Sequence, residues 1–286
     1  MEFITFGPVH LNVTDLEKSV LFYRDILGMK VRKTDTPTEV GTSERTLVVL
    51  HPDAKIPNRK GHSGLYHFAI HIPTERELAQ LFVRLSKKGW RAGPTDHIIA
   101  KSVYVKDPDG IDIELAVELP RRVVEYRFTE DEFKVIDDKG QLRSPIEPLD
   151  VQELLSHLDD DNTDHPFPEK AFVGHMNLHM PNLQNAYDFY KKIGFTEHFI
   201  FPKMGWGDLG AGGLVDHRIA VNTWAGVNAP KTPAGMAGLK YFTLKYDSKE
   251  RLNKALNNIS NEKEQDKENL IEDPAGNKII LVIKEN

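Results

Sequence analysis

Short stretches in which apolar and polar residues alternate, each followed by a run with helical periodicity, recur along this chain. The first stretch, VHLNV at 9–13, turns its three apolar side chains to one face of a strand and leaves His10 and Asn12 on the other, because successive side chains of a strand point to opposite faces. The residues from there to Met29 predict a helix cap and an amphipathic helix. A strand followed by a helix is therefore the first predicted unit.

The chain repeats this pattern. The segment 175–195 matches the segment 9–29, with a Phe-Tyr pair recurring at a spacing of 167 residues. The alternating runs GLYHFAIHIP, from Gly64, and GLKYFTLKY, from Gly238, begin two further units of the same kind. Since similarity at a fixed spacing indicates a repeated structural element, the sequence predicts four similar units.

Each unit continues from its helix into short strands. In the second unit Thr74 and Glu77 form a capping box, and apolar residues recur at helical spacing from Leu78 to Leu85. Strand-forming runs separated by Pro and Gly turns follow the helices. The unit is therefore predicted as βαβββ, and the fold class as α+β.

Length and repeat spacing divide the chain into two halves. The 286 residues correspond to about two domains. We predict one domain over 1–120, containing the first and second units, and another over 170–286, containing the third and fourth. The segment 121–169, with several prolines and an acidic stretch, departs from the repeat and predicts a connector with one helix, Leu149–Leu158.

Charge and cysteine content exclude several classes of protein. The 37 Lys and Arg against 43 Asp and Glu give a net charge of −6, which disfavours nucleic acid and acidic membrane surfaces as partners. With no cysteine, the chain has no disulfide, thiolate metal site or cysteine nucleophile. No stretch reaches the ~18 apolar residues of a membrane helix, and the N-terminus lacks a signal-peptide pattern. We therefore expect a soluble, cytoplasmic protein.

Strand periodicity leaves three candidate metal ligands on polar faces. His10 lies on the first strand, the apolar stripe from Tyr66 to Ile72 leaves His67 on the opposite face, and the stripe from Ile111 to Val117 does the same for Glu114. Each residue alone is typical of an ordinary polar strand position. Together, two imidazoles and one carboxylate form the facial set that holds non-haem Fe(II) with open positions for substrate and dioxygen, and Mn(II) accepts the same ligands.

The segments HLNVTDLEKSVLFYRDILG, GLYHFA and DPDGIDIEL resemble the vicinal oxygen chelate superfamily of glyoxalase, bleomycin-resistance proteins and extradiol dioxygenases. The resemblance covers both halves and is closest to the two-domain, catechol 2,3-dioxygenase-like branch. It implies that two βαβββ units pair to curl a sheet around a cup, so that the four modules form two glyoxalase-like domains. It also implies that the metal ligands are His10, His67 and Glu114.

The same resemblance implies that the second half lacks this site. Asn177, Tyr241 and Ile280 stand there at the three ligand positions. An unrelated metal site of His175, His179 and His217 is an alternative, although no carboxylate stands at the family spacing from these histidines.

The resemblance further implies an extradiol ring-cleaving dioxygenase that uses Fe(II) and O2 on a small aromatic diol, either a catechol or a hydroquinone-like aromatic. Such chemistry needs a proton carrier. Tyr104 stands where the extradiol pattern has a hydrogen-bonding tyrosine, His97 resembles a histidine that closes the cup, and Asn12 is placed to steer oxygen or substrate. The role of His51 is open.

Two other functions remain as alternatives. In the superfamily a fourth carboxylate ligand marks glyoxalase-type members, and Thr46–Leu50 offers only Thr and apolar residues at the equivalent place, which favours oxygen chemistry. A metal-dependent glyoxalase or thiol transferase is the first alternative. A small-molecule binding or resistance protein without turnover is the second. The sequence leaves the oligomeric state open, a homo-oligomer included.

Overall fold

The four predicted repeats are present in the computed structural model, which describes residues 2–129, 132–159, 162, 164–259 and 269–285. Unit 1 contains β1 Ile4–Asn12, α1 Leu16–Leu21 with a π-helical turn Phe22–Ile26, β2 Lys30–Lys33, β3 Thr38–Gly41 and β4 Thr46–His51. Unit 2 contains β5 Gly64–His71, α2 Glu75–Lys87, β6 Ala92–Asp96, β7 Ala100–Lys106 and β8 Asp112–Glu118. Both units have the predicted order βαβββ.

The second half of the chain follows an intervening segment, and there unit 3 repeats the order βαβββ, whereas unit 4 shows βαββ within the described residues. That segment contains a 3-10 turn Pro120–Arg122, β9 Val123–Phe128, β10 Phe133–Asp137, β11 Leu142–Arg143, β12 Glu147–Pro148 and α3 Val151–Leu155. Unit 3 contains β13 Phe172–His179, α4 Leu183–Lys192, β14 Thr196–Phe201, β15 Trp206–Gly210 and β16 Ile219–Asn222. Unit 4 contains β17 Gly238–Tyr246, α5 Lys249–Ile259, β18 Leu270–Glu272 and β19 Lys278–Ile283.

The units pair across the two halves rather than within them. The order β12-β6-β7-β8-β5-β13-β16-β15-β14 joins units 2 and 3 in a nine-stranded sheet, and β18-β19-β17-β1-β4-β3-β2 joins units 1 and 4 in a seven-stranded sheet. This pairing differs from the domains 1–120 and 170–286 expected from the sequence. The predicted α+β class and the curled sheets built from paired modules are confirmed.

The apolar faces of both sheets pack against the helices. On β1, Val9 and Leu11 are fully buried, as are Phe68 and Ile70 on β5. Burying an apolar side chain of this size stabilises the folded state by roughly 1.5–3 kcal/mol. Because these positions alternate with polar ones, each central strand directs its polar side chains to the other side of its sheet.

The segment between the halves is more than a connector. Its strands β9, β10 and β11 form a separate three-stranded sheet. Its helix α3 is shorter than the predicted Leu149–Leu158: it begins after Asp150, whose side chain caps it by accepting a hydrogen bond from the Glu153 N–H, and it ends at Leu155. Part of the acidic stretch, residues 160, 161 and 163, lies outside the described residues. No helix in the described part of the chain is long and apolar enough to span a membrane.

Candidate metal centre

Three polar side chains meet at the junction of units 2 and 3. The central strand β5 runs parallel to β8, with Ala69 opposite Glu114, and antiparallel to β13, with Ala69 opposite His175. His67 lies two residues before Ala69 and points to the same face. The small side chain of Ala69 thus leaves open the space that His67, Glu114 and His175 surround.

The donor atoms of these residues converge. The Nε2 of His67 lies 3.0 Å from Oε2 of Glu114, the Nε2 of His175 lies 3.1 Å from the same oxygen, and the two nitrogens are 3.3 Å apart. Donor atoms bound at right angles to one ion at roughly 2.1 Å stand roughly 3.0 Å apart. The spacing of the three atoms therefore fits a facial ligand set for one divalent cation.

Burial and charge favour the protonation states that a metal ion requires. All three side chains are buried. Burial would raise the pKa of the Glu114 carboxyl, but His175 and His67 beside it hold that pKa well below its usual range. Burial lowers the pKa of His175 well below its usual value. The group is thus an ionised carboxylate with a neutral imidazole beside it, which suits cation binding.

A second layer of residues orients His175. Its Nδ1 lies 3.1 Å from Nε2 of His71, whose pKa burial and Arg218 lower to about 3. His71 is therefore neutral and accepts the hydrogen bond through Nε2, which leaves its Nδ1, 3.6 Å from the Glu118 carboxylate, as the protonated nitrogen. Arg218 donates to Glu118 at 2.6 Å. Such outer hydrogen bonds fix the tautomer and ring orientation of a ligating histidine.

A β-bulge makes room for this layer. The register of β13 against β5 shifts between Val173 and His175, so Gly174 has no partner on β5. A Cβ at Gly174 would lie 2.2 Å from the ring atoms of His71. Glycine therefore allows the His71 ring to pack directly against the backbone beside His175. A second shift leaves Tyr66 unpaired, and Tyr66 lines the cavity next to the centre instead of joining the apolar stripe predicted for it.

A cavity of about 230 Å³ adjoins the three donor atoms. Strands of the intervening segment cover it, with Tyr126, Phe133 and Val135 in its wall, and Phe199 and Trp206 of unit 3 complete an aromatic side. The polar side chains in its lining include His97, Tyr104 and His217. The cavity is thus apolar, with a few convergent polar groups.

Tyr104 and His97, the two proton-carrier candidates, both line this cavity. The carbonyl of Pro145 lies 3.2 Å from Nδ1 of His97, so this nitrogen carries the proton. Burial lowers the pKa of His97, which keeps the ring neutral and leaves Nε2 as an acceptor. The hydroxyl of Tyr104, 3.0 Å away, therefore donates to His97.

His217 is a feature that sequence reasoning missed, since it was considered only within an unrelated metal site. Its Nδ1 lies 2.7 Å from Oδ2 of Asp208, and its ring centroid lies 4.3 Å from that of His175. Burial would lower the pKa of His217, but the Asp208 carboxylate raises it above its ordinary value. An aspartate inside the run WGDLG, between apolar positions, was the only sequence signal for this pair.

His10 and Asn12 do not lie at this centre. Both are on β1 in the seven-stranded sheet, where the Nδ1 of His10 lies 3.0 Å from Nε2 of His51 and the His10 ring stacks on Tyr241. The predicted set of His10, His67 and Glu114 is thus not brought together, because unit 2 pairs with unit 3 rather than with unit 1. His175, from the half that was expected to contribute no ligand, takes the third position.

A fourth ligand position can be identified from the pairing of units 2 and 3. Across β5 and β13, His67 faces Asn177 and Ala69 faces His175, so His67 is equivalent to His175, and Ala69 to Asn177. Ala69 lies beside Glu114 on β8, and Asn177 lies beside Ala220 on β16. The equivalent of Glu114 is therefore Ala220, whose side chain offers no ligand.

A second group of possible ligands, Glu75, Glu153 and His157, is found among the described residues. The ammonium group of Lys101 forms ion pairs with both Glu75 and Glu153. A cation is thus already present between the two carboxylates, and the group is adequately explained as an ion-pair cluster.

Comparison with known proteins agrees with this architecture. Residues 5–115 match the model of the Glyoxalase/Bleomycin resistance protein/Dioxygenase superfamily. A relative from Bacillus subtilis (strain 168), named catechol-2,3-dioxygenase, is 31% identical over 258 residues, which are 88% of this chain and 86% of the relative. The chain belongs to this superfamily.

Other members of the glyoxalase/dioxygenase superfamily resemble parts or all of the chain. A metallothiol transferase FosB of Staphylococcus epidermidis is 28% identical over 130 residues, 44% of this chain and 90% of the relative. The crystal structure of a putative dioxygenase from Bacillus subtilis covers 99% of this chain and 86% of its own, with a TM-score of 0.59 and 13% identity. At that identity the structural likeness shows the glyoxalase-type fold alone.

Proposed function

We propose that this protein is an extradiol ring-cleaving dioxygenase that holds Fe(II) on His67, Glu114 and His175 and acts on a small aromatic 1,2-diol and O2. The observation that carries the proposal is the three-ligand set with Ala220 at the fourth position. Bound Fe(II) would supply the adjacent open positions at which diol and dioxygen meet. A fourth carboxylate, as in the glyoxalase type, would fill one of them.

The cavity suits a single aromatic ring. Its volume of about 230 Å³ lies below the range of roughly 300–1,000 Å³ typical of sites for drug-sized ligands. Phe199 and Trp206 offer ring faces and edges for contact, and Tyr126 of β9 and Phe133 and Val135 of β10 add apolar cover. A small diol would thus be held with its ring against the aromatic side and its oxygens toward the three donor atoms.

His217 is placed to receive a proton from the diol. With its Nδ1–H donated to Asp208, its Nε2 is the nitrogen left for a ligand in the cavity. Asp208 orients the ring and stabilises the imidazolium that forms when a hydroxyl proton is transferred, as the carboxylate of a catalytic triad does. The proton held on Nε2 is then available for return to an oxygen atom during ring cleavage.

Tyr104 and His97 form a second polar pair on the cavity. Burial and Glu114 raise the pKa of Tyr104 well above its usual value, so the phenol stays protonated. Its hydroxyl, which donates to His97, can turn toward a substrate oxygen and so exchange one hydrogen bond for another. We assign this pair to positioning the diol and dioxygen.

Oxygen uptake by the protein reconstituted anaerobically with Fe(II) tests this function. The reaction should consume one O2 per molecule of catechol and give a yellow ring-cleavage product. Catechol monomethyl ether, in which a methyl group replaces one hydroxyl hydrogen, should cause no O2 consumption. A metal-replete protein that consumes no O2 with any 1,2-diol would contradict the proposal. Turnover of a glutathione hemithioacetal by the same preparation would instead indicate a glyoxalase, and transfer of a thiol would indicate a thiol transferase.

A further inference from the structure

The second cup, formed by units 1 and 4, encloses a larger space than the candidate metal centre. A cavity of about 1130 Å³ lies against β1, β17 and β19 and the loops that connect units 1 and 2 and units 3 and 4. By the equivalences between units, the ligand positions of this cup hold Pro8, Tyr241, Val49 and Ile280. Three of them, Pro8, Val49 and Ile280, have no donor atom in their side chains, so a metal site like that of units 2 and 3 cannot form here.

The lining of this cavity is strongly basic in a chain whose net charge is −6. Two carboxylates, Asp53 and Asp112, stand against six cationic side chains. The six are Arg59, Lys60, Lys106, Lys231, Lys240 and Lys278. Within the described residues, Lys60, Lys231 and Lys278 form no ion pair. Cations gathered in one cleft focus a positive potential that attracts anions.

Tyr241, in the wall of the cavity, adds an aromatic surface to this charge. The His10 ring stacks on it with centroids 3.9 Å apart, and His10 is in turn held by His51. Lys240, which has no partner on β1 because the register shifts there, places its ammonium group 3.3 Å from Nδ1 of His51. A flat ring surface and an ammonium group thus stand side by side on adjacent residues.

An unsatisfied polar atom lies in the same wall. The Oδ1 of Asn12 is buried and has no hydrogen-bond partner among the described residues, although Asn12 lines the cavity. Leaving a buried acceptor unpaired costs roughly 1–3 kcal/mol. A ligand with a hydroxyl or other donor near its ring would remove this cost.

We propose that this cavity is a second ligand site, distinct from the metal centre, that binds a small aromatic carboxylate. Its ring would stack on Tyr241, and its carboxylate would pair with the cations at the rim, foremost Lys231 and Lys278. Tyr66 and Trp224 lie in the walls of both cavities, so a ligand bound in one cavity would lie next to the other cavity.

Calorimetric titration of the full-length protein with 2-hydroxybenzoate, whose hydroxyl can donate to the Oδ1 of Asn12, tests this site. We expect one saturable site per chain, weakened about 10-fold or more in the double variant Lys231→Gln/Lys278→Gln. The matched control, Lys249→Gln/Lys254→Gln, removes the same charge from α5 and should leave the affinity unchanged. So should His175→Ala, which alters only the metal centre.

Four outcomes would overturn the inference. They are no binding up to about 10 mM, equal affinities in the two double variants, loss of the site in His175→Ala, and equally tight binding of inorganic phosphate or of the uncharged methyl 2-hydroxybenzoate. Equally tight binding of phosphate would mean that the ring adds nothing to recognition, and equally tight binding of the ester would mean that the charge adds nothing. Because no arm requires turnover, this test is independent of the proposed dioxygenase activity.

Discussion

Among single residues, the sharpest comparison is between His10 and His175, which lie on the first strands of units 1 and 3. His175 converges with His67 and Glu114, whereas His10 contacts His51 and Tyr241 in the other cup. We expect His175→Ala to lose metal and activity, because a two-ligand site binds weakly. His10→Ala should keep both. Metal analysis of the two purified variants, with circular dichroism to check the fold, measures this. If His175→Ala retained as much metal as His10→Ala, the centre proposed here would be excluded.

His217 offers a test of chemistry separate from metal binding. Replacing it with Gln should leave the metal content unchanged while kcat falls by roughly 100-fold, within the range of 10²–10⁴ attributed to one positioned acid or base. His157, whose Nε2 lies 3.1 Å from Oε1 of Glu153 and which does not line the cavity, provides the control His157→Gln. A wild-type kcat in His217→Gln would remove this residue from the mechanism and leave Tyr104 and His97 as the candidates.

At the level of elements, local structure was predictable from the sequence and pairing was not. The capping box of Thr74 and Glu77 predicted α2, and the Thr74 side chain does accept from the Glu77 N–H. Helix caps and alternation are properties of neighbouring residues. The partner of β5 is instead decided by packing between segments more than 100 residues apart, so the sequence placed His10 beside His67 where the structure has His175.

The missed elements have the same origin. Strands β9 to β11 are short and half-exposed, and β9 and β10 cover a cavity whose wall unit 3 completes. The Asp208–His217 pair likewise forms across β15 and the turn before β16, and no spacing in the sequence marks it. The faces of His67 and Glu114, which depend only on alternation, were predicted correctly.

The bulge before His175 gives a prediction at this scale. Gly174→Ala would place a Cβ 2.2 Å from the His71 ring, which forces the ring or the bulge to move, and overpacking of this kind typically costs about 1–3 kcal/mol. At Gly93, on β6, the nearest atom to a Cβ would be 3.7 Å away, an ordinary contact. Urea unfolding should therefore separate Gly174→Ala from Gly93→Ala, and metal affinity should fall only in the former. Equal stability of the two would argue against a packing role for Gly174.

The turn at Asp107 predicts a dependence of stability on pH. Burial raises the pKa of this carboxyl to about 7, and its Oδ2 has no hydrogen-bond partner among the described residues. The folded state therefore holds a proton that the unfolded state releases near pH 4. The contribution of Asp107 to the free energy of unfolding should fall by about 1.4 kcal/mol per pH unit as the pH rises from about 4 to about 7.

Comparison with variants isolates this contribution from those of the histidines. Asp107→Asn cannot lose a proton, so its stability relative to wild type should rise between about pH 5 and about pH 7. Asp138→Asn, at an exposed position, should show no such trend. Denaturant unfolding at several pH values measures both. Parallel curves for Asp107→Asn and wild type would show that Asp107 is ionised in the folded protein.

Across the whole molecule, two kinds of contact link the four units in different pairs. The sheets join unit 1 to unit 4 and unit 2 to unit 3. Turn residues join the units of each half, since Asp109 of unit 2 accepts from the Thr14 N–H of unit 1 at 2.8 Å and Asp273 of unit 4 accepts from Tyr190 of unit 3 at 2.8 Å. Each unit is thus connected to two others, and neither half contains a complete cup.

The division of the metal centre between the halves also affects when the centre can form during synthesis of the chain. His67 and His175 are 108 residues apart, so at a synthesis rate of about 5–20 residues per second a ribosome needs roughly 5–20 s to travel from one to the other. During that interval β5 has no partner for its free edge, and His67 and Glu114 have no third ligand. The strand made first, β1, waits longest, because its partner β17 is near the end of the chain. We therefore expect the nascent chain to acquire metal only late in translation, after unit 3 has left the ribosome.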